Sequence, residues 1–389
     1  MPESQGKKMA AGAGEKLRLY LRQQPLMLVL LAVLAVISFL GVTGLSREYH
    51  AQRDFLGDRW FARGVADLRA QHYDRAVTEF RSALLYSRDN YTYQLNLAEA
   101  LIGLKRTGEA AAYLTNLWER QPEDGLVNLE LARIAVEKGQ TEQALRYYHN
   151  AIYAAWPSDR EGKRRDARLE LIEFLLNTRA KAQAQSELIA LQENLGDDPA
   201  QQERVGDLFL RTEDYEHALA AYRQSLKLER DNRAALAGAG FAAFELGRYP
   251  VAQRYLDAAL AGDPNNTRSA GLLKMTEMVL ELDPFRRQLS VSQRAKIVAL
   301  DFSKAGERLK ACSAARGLAL PTAVQSSLAG SWARLKPQIS EGELRRNPDL
   351  VESAMDLVFD IERQTSVTCG TPSGADMALL LIAKLHEGN

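Results

Sequence analysis

The chain has 389 residues, enough for two or three domains. Lysine plus arginine equals aspartate plus glutamate, at 50 each, so no net charge marks it as a nucleic-acid binder. Aromatic residues make up only 7% and prolines number 12, while alanine and leucine are abundant, which favours helices over sheet.

Residues 1–24 carry Lys7, Lys8, Lys16, Arg18 and Arg22 around the small-residue stretch AAGAGE and read as a disordered basic tail. PLMLVLLAVLAVISFLGVTGL follows, Pro25 to Leu45, with no charge and only Ser38 polar between Leu26 and Val42. As a helix it reaches roughly 30 Å, one hydrocarbon core, and it is expected to be a transmembrane anchor over residues 25–45. A cleaved signal peptide is the alternative. The apolar region is long for one, and Val42 and Gly44 fit the small-residue cleavage pattern poorly. No cysteine follows it as in a lipoprotein signal. Five basic residues precede the anchor and four follow it (Arg47, Arg53, Arg59 and Arg63), a weak bias that places the N-terminus inside and the long C-terminal part outside. Residues 46–56 are expected to be a juxtamembrane helix.

From Gly57 to about residue 284 the chain repeats itself. Gly64 is followed twelve residues later by Ala76, then by Phe80 and Ala83. A step of 34 gives Ala98, Ala110, Leu114 and Leu117, and another gives Ala132, Ala144, Tyr148 and Ala151. After an insertion of six come Ile172, Ala184, Leu188 and Leu191; then Gly206, Ala218, Tyr222 and Ser225; then Gly240, Ala252, Leu256 and Ala259. Small residues at these places let two helix axes approach closely, and the aromatic residues fill the gap between neighbouring pairs. No single pair can bury its apolar face, so stacking is obligatory.

This pattern resembles the tetratricopeptide repeat, in six units with a capping helix from about Thr267. It departs from the family in the fourth unit, where Ile172 replaces the small residue and WPSDREGKRR lengthens the loop. The resemblance implies an all-α superhelical solenoid whose first helices line a concave groove. Mapped onto this sequence, the partner-binding groove comprises Phe61, Leu95, Glu99, Leu129, Arg133, Leu169, Glu173, Leu176, Asp207 and Phe241. Val65, Leu68, Ile102, Val136, Leu210 and Phe244 belong to the same face. The Lys/Asn carboxylate clamp used by some family members is absent. The groove reads as apolar with a mainly acidic stripe broken by Arg133, a surface for an amphipathic helix or an extended apolar segment. Cover by the chain's own C-terminal part is the alternative. The loop SDREGKRRDAR, Ser158 to Arg168, carries five cations and reads as solvated, with an acidic partner or lipid headgroups as the sharper reading.

No catalytic site emerges. The five histidines are scattered, with neither HxxxH nor CxxC, so no metal or cofactor is expected. GAGFAA from Gly238 resembles a dinucleotide loop, but no strand precedes it and Gly240 already serves as a repeat signature. A non-enzymatic role is expected, with no small-molecule substrate and no nucleic acid.

Residues 285–389 form a small helical module with no recognised family. Helices are expected over Pro284–Leu318, 320–336, Asn347–Gln364 and Ser373–His386. The stretch TSVTCGTPSG, Thr365 to Gly374, is expected to be a tight turn holding Cys369, whose sole companion is Cys312. An even pair in an exported module reads as a disulfide; two buried thiols, or redox or metal use, are the alternatives. The expected protein is a single-pass bacterial inner-membrane scaffold, its C-terminal domain periplasmic, that binds protein or peptide partners as an assembly or chaperone-like factor. A permanent subunit of a membrane complex, or a cytoplasmic-facing adaptor if the topology is reversed, are the other readings.

Overall fold

The computed structural model describes the backbone of residues 6–315 and 327–387, and side chains from Met27 onward. Among the described residues every regular element is helical, and one isolated bridge joins Asp124 to Ala155. The chain divides into two compact units between Leu169 and Glu170.

The first unit begins with α1 (Gly6–Arg69), a single helix that contains both the apolar segment and the first helix of the first repeat. Its described part, Met27–Arg69, is long and apolar enough to cross a membrane, with a mean hydropathy of 2.7 in its most apolar window and none of that window buried. The expected disordered tail is drawn into α1 from Gly6 on, where alanine, leucine, lysine, arginine and glutamine, all strong helix formers, outnumber the glycines. The expected juxtamembrane helix likewise runs into the repeat without a break. Then follow α2 (Tyr73–Tyr86), α3 (Tyr91–Gly103), α4 (Thr107–Arg120), α5 (Gly125–Glu137) and α6 (Thr141–Tyr153). α7 (Arg160–Asn177) spans the division.

The second unit continues with α8 (Lys181–Gln192), α9 (Pro199–Arg211), α10 (Tyr215–Leu228), α11 (Arg233–Glu245) and α12 (Tyr249–Gly262), and the capping helix α13 (Thr267–Leu282). The C-terminal part holds α14 (Val291–Ala315), α15 (Leu328–Leu335), α16 (Glu341–Arg346), α17 (Pro348–Cys369) and α18 (Ala375–Leu385). The helix expected over 320–336 is described only from Ser327, and its earlier residues lie outside the described ones. α16 was not anticipated.

Two local devices repeat with the sequence. First helices are capped by Asn90, Asp124, Asp198, Asn232 and Asn266, each accepting a backbone N–H from the first turn. These side chains satisfy donors that the helix itself leaves orphaned. Between the paired helices, Gln71, Lys105, Gly139, Arg179, Glu213 and Gly247 all take left-handed backbone with φ from 59° to 69°. The following residue then donates back to the preceding helix, as Arg106 N–H does to the Leu101 carbonyl at 2.8 Å. That bond closes a helix end and turns the chain into the second helix of the pair. Successive turn residues lie 34 apart except across the insertion, so the backbone marks the same phase as the small residues.

Packing within each pair is close. A Cβ on Gly64 would sit 2.5 Å from Phe80, and one on Gly238 would sit 2.3 Å from Tyr222. Tyr222 is completely buried and is also in contact with Gly206, so one aromatic ring fills the space between α9 and α11. Ala76, Ala110, Ala144, Ala184, Ala218 and Ala252 have no exposed surface at all.

Two sequence expectations need correction. SDREGKRRDAR is not a loop: α7 starts at Arg160 and carries Lys163, Arg164, Arg165 and Arg168 on its first turns. Glu161 and Arg164 pair one turn apart at 3.7 Å, and these residue types propagate a helix once it starts. Within the insertion, Trp156 folds back on the third pair: its indole N–H donates to the Ala151 carbonyl at 2.9 Å and its ring covers Gly125. The turn around Cys369 is also narrower than expected. α17 runs through Cys369, and Thr365 and Thr368 bond to carbonyls one turn back. Gly370 and Gly374, both with positive φ, then make the turn into α18.

Cys312 and Cys369 form a disulfide with a Cα–Cα separation of 5.6 Å, tying the C-terminal ends of α14 and α17. One apolar core joins this module to the end of the repeats: Tyr249, Val279 and Leu282 share it with Phe302, Val358 and Leu379.

Candidate partner-binding groove

In the first unit the inner faces of α1 and α3 and the start of α2 enclose a cleft of about 510 Å³. Val65 and Leu68 come from α1, Ile102 from α3, and Tyr73 from the turn into α2. Tyr73 lies against Gly103, where a Cβ would come within 2.4 Å of its ring. That contact lets the ring lie flat between the two pairs. Glu99 projects from the centre of α3 and Arg69 from the last turn of α1. Among the described residues Glu99 makes no hydrogen bond or ion pair; its side chain is exposed, and the protein on one side of it still pushes its pKa above the usual carboxylate range. The cleft is an open slot of mixed character, with Val65, Leu68, Tyr73 and Ile102 beside the polar side chains of Glu99, Asn96, Gln71 and Arg69.

The remaining sites assigned from the sequence in this unit fall elsewhere. Phe61 stacks on Tyr93 with ring centroids 4.9 Å apart and packs against the core. Leu95 is half-buried on the same core. Leu129 is only 5% exposed, so it belongs to the interior rather than to an open surface. Arg133 is ion-paired with Glu130 one turn away. Leu169 is half-buried on α7.

In the second unit the acidic stripe is largely satisfied by partners within the fold. Glu173 accepts from Arg211 at 2.7 Å. Asp207 accepts from the Tyr222 hydroxyl at 2.5 Å, so it anchors the ring that fills α9 and α11. The carboxylate and burial together push the Tyr222 phenol far up. Phe241 lies beneath the Arg268 guanidinium at 4.4 Å and edge-on to Tyr215. Leu176 is half-buried. Phe244 packs into the core shared with the C-terminal helices, so that position is covered. Among the ten assigned residues, Glu99 alone lines the cleft. Tyr73, Asn96 and Arg69 were missed; Arg69 and Gly103 hold the same place in successive first helices, and that spacing was the available signal.

Among the described residues no three histidine, cysteine, aspartate or glutamate side chains gather as metal ligands.

Helix pairs of this length, with small residues at the crossing and a left-handed turn between partners, define a repeat scaffold. Tetratricopeptide repeat models match residues 61–125, 101–155 and 209–275. The chain is a tetratricopeptide repeat protein. Solved structures with a similar fold include YrrB, described as having an unusual peptide-binding site, at 16% identity, covering 49% of this chain and 96% of that one with a TM-score of 0.40. PilF of Pseudomonas aeruginosa is 16% identical, covering 57% of this chain and 97% of that one with a TM-score of 0.40. The C-terminal part of a repeat protein from Cytophaga hutchinsonii is 14% identical, covering 61% of this chain and 93% of that one with a TM-score of 0.45. No curated protein matches the chain.

Proposed function

We propose that the protein is a membrane-anchored scaffold that binds protein segments in the cleft between α1 and α3. The occupant is a stretch of a partner chain with aliphatic side chains beside one lysine or arginine. The observation that carries this reading is the pairing, in one open cleft, of aliphatic side chains with an exposed carboxylate that has no partner among the described residues. Val65, Leu68 and Ile102 gain from losing water to aliphatic groups, and Glu99 lacks a cation that the partner supplies. Desolvation already disfavours the ionised form of Glu99, so an incoming cation relieves a cost instead of creating one. Repeat scaffolds hold helices or extended peptides in such surfaces without doing chemistry on them.

The anchor and the disulfide support the rest of the reading. α1 fixes the cleft to the apolar segment through one uninterrupted helix: Val65 lies twenty residues beyond Leu45, roughly 30 Å along the helix. A disulfide is stable in an oxidising compartment, which favours export of the C-terminal part into a bacterial periplasm from an inner-membrane anchor. An assembly or chaperone-like role for envelope proteins follows from that placement.

Site-specific photo-crosslinking in intact cells tests the proposal. A crosslinker at Ile102 should give a discrete adduct, and one at Ala112, exposed on α4, should not. Equal adducts from both positions, or none from Ile102, would count against the cleft. A reporter active only outside the cytoplasm, fused after Asn389, checks the orientation separately.

A further inference from the structure

The C-terminal module contains two carboxylic side chains that its surface chemistry does not explain. Asp301 on α14 and Glu362 on α17 are each 0% exposed. Among the described residues none of their four carboxyl oxygens has a hydrogen-bond partner. Around them lies the apolar core of α14, α17 and α18, with Phe302, Ala305, Val358, Ile361 and Leu379. A buried carboxylate without a partner is far more costly than a buried carboxylic acid. A protein that keeps such groups in its core therefore keeps them protonated.

The facing groups are few. Asp301 meets Lys304 on its own helix and Asp283 at the end of α13. Asp283 is itself 3.3 Å from His386 beyond α18, so that histidine is directed at Asp283. Glu362 meets Arg308 of α14 and Asp376 of α18. Arg308 is already engaged: it donates to the Gly370 carbonyl at 2.9 Å and lies 3.9 Å from Asp376. Lys304 and Glu307 act on Asp376 as well. On α16, Arg345 pairs with Glu341 and Arg346 with Glu343 at the exposed surface. One guanidinium thus stands between two carboxyls and also holds the turn that starts α18.

We propose that the C-terminal module is a proton-loaded switch, in which Asp301 and Glu362 enter the core as neutral acids and loss of either proton loosens α14 from α17. Ionised Glu362 draws Arg308 away from Gly370 and Asp376, releasing the start of α18. α18 packs on the capping helix α13, so the change reaches the end of the repeat array. The disulfide, one turn beyond Arg308 and next to Gly370, keeps the C-terminal ends of α14 and α17 tethered, which makes the loosening local and reversible. Burial pushes both groups up to about 8; Asp283 adds to the rise of Asp301 and Asp376 to that of Glu362, while Lys304 and Arg308 work the other way. Folded-state values raised above those of the unfolded chain give a definite sign. The stabilisation is complete below the ordinary carboxylate range and is lost as pH rises through about 8.

The test uses the full chain in detergent. Infrared spectra at pH 6 should contain the carbonyl stretch of neutral carboxylic acids, diminished in Asp301→Asn and in Glu362→Gln. Hydrogen exchange, corrected for intrinsic rates, should show protection of α14, α17 and the start of α18 falling at least ~10-fold from pH 6 to pH 9, since one unit of pKa difference is a factor of ten. Protection of α9–α12 should stay constant, and the double variant should be flat in both regions. A missing neutral-acid band at pH 6 overturns the proposal, and that measurement needs no variant to fold. So does equal loss of protection across the repeats, or an unchanged pH response in a folded double variant.

Discussion

Lys105 sits at φ 59°, where a side chain with a Cβ is strained, yet the turn after it needs that backbone. Gly139 and Gly247 occupy the same place in other repeats without the strain. Replacing Lys105 with glycine should relieve the strain faster than it adds disorder to the unfolded chain. The expected gain is about 0.5–1 kcal/mol, read from urea unfolding. A loss of stability would mean the Lys105 side chain holds something the turn geometry does not reveal. The opposite substitution is instructive at Gly238. An alanine Cβ there would meet the completely buried Tyr222 ring at 2.3 Å, with Gly206 closing the other side. Gly238→Ala should cost about 1–3 kcal/mol, the usual range for overpacking a tight core. Unchanged unfolding would show that the ring has room to move and that these glycines are incidental.

At the scale of elements, the module from α14 to α18 depends on its staple. The bond between Cys312 and Cys369 closes a separation of 57 residues. By loop entropy this contributes about 4 kcal/mol, a large share of a small domain's stability. Cys312→Ser with Cys369→Ser should therefore lower the stability of the module while the repeats of the first unit are unaffected, followed by hydrogen exchange of α14 and α17 against α3–α6. Unchanged exchange of α14 and α17 would make the bond incidental to folding. The helices themselves were largely legible. Small residues and aromatics at fixed offsets announce paired helices because only those sizes permit close crossing. The Asn and Asp caps at Asn90, Asp124, Asp198, Asn232 and Asn266 kept the same spacing in plain view. The left-handed turn residues did not, since Gln71, Lys105, Arg179 and Glu213 are not types that favour that backbone. α7 was misread because a run of cations looks solvated whether or not it is helical.

At the scale of the whole molecule, the sequence showed an apolar N-terminal segment, tandem repeats and a helical end, but not the partners of its acidic stripe. Glu173 and Asp207 resemble free acids in the sequence, and their partners Arg211 and Tyr222 lie on other parts of the fold. Only packing reveals that Asp301 and Glu362 are enclosed. One surface open to a partner in the first unit is the slot at Val65, Leu68 and Ile102 with Glu99 exposed along it. Recognition of a cation beside aliphatic groups is the central claim, and a charge exchange tests it most directly. The measurement is the affinity of the segment captured at Ile102 for wild-type protein and for Glu99→Lys. An exposed ion pair contributes up to about 1 kcal/mol and charge reversal adds repulsion of similar size, so Glu99→Lys should weaken binding by ~10-fold. Converting the segment's lysine or arginine to glutamate should restore binding to that variant. Undiminished binding to Glu99→Lys, or a loss that the exchanged charge does not restore, would contradict the account.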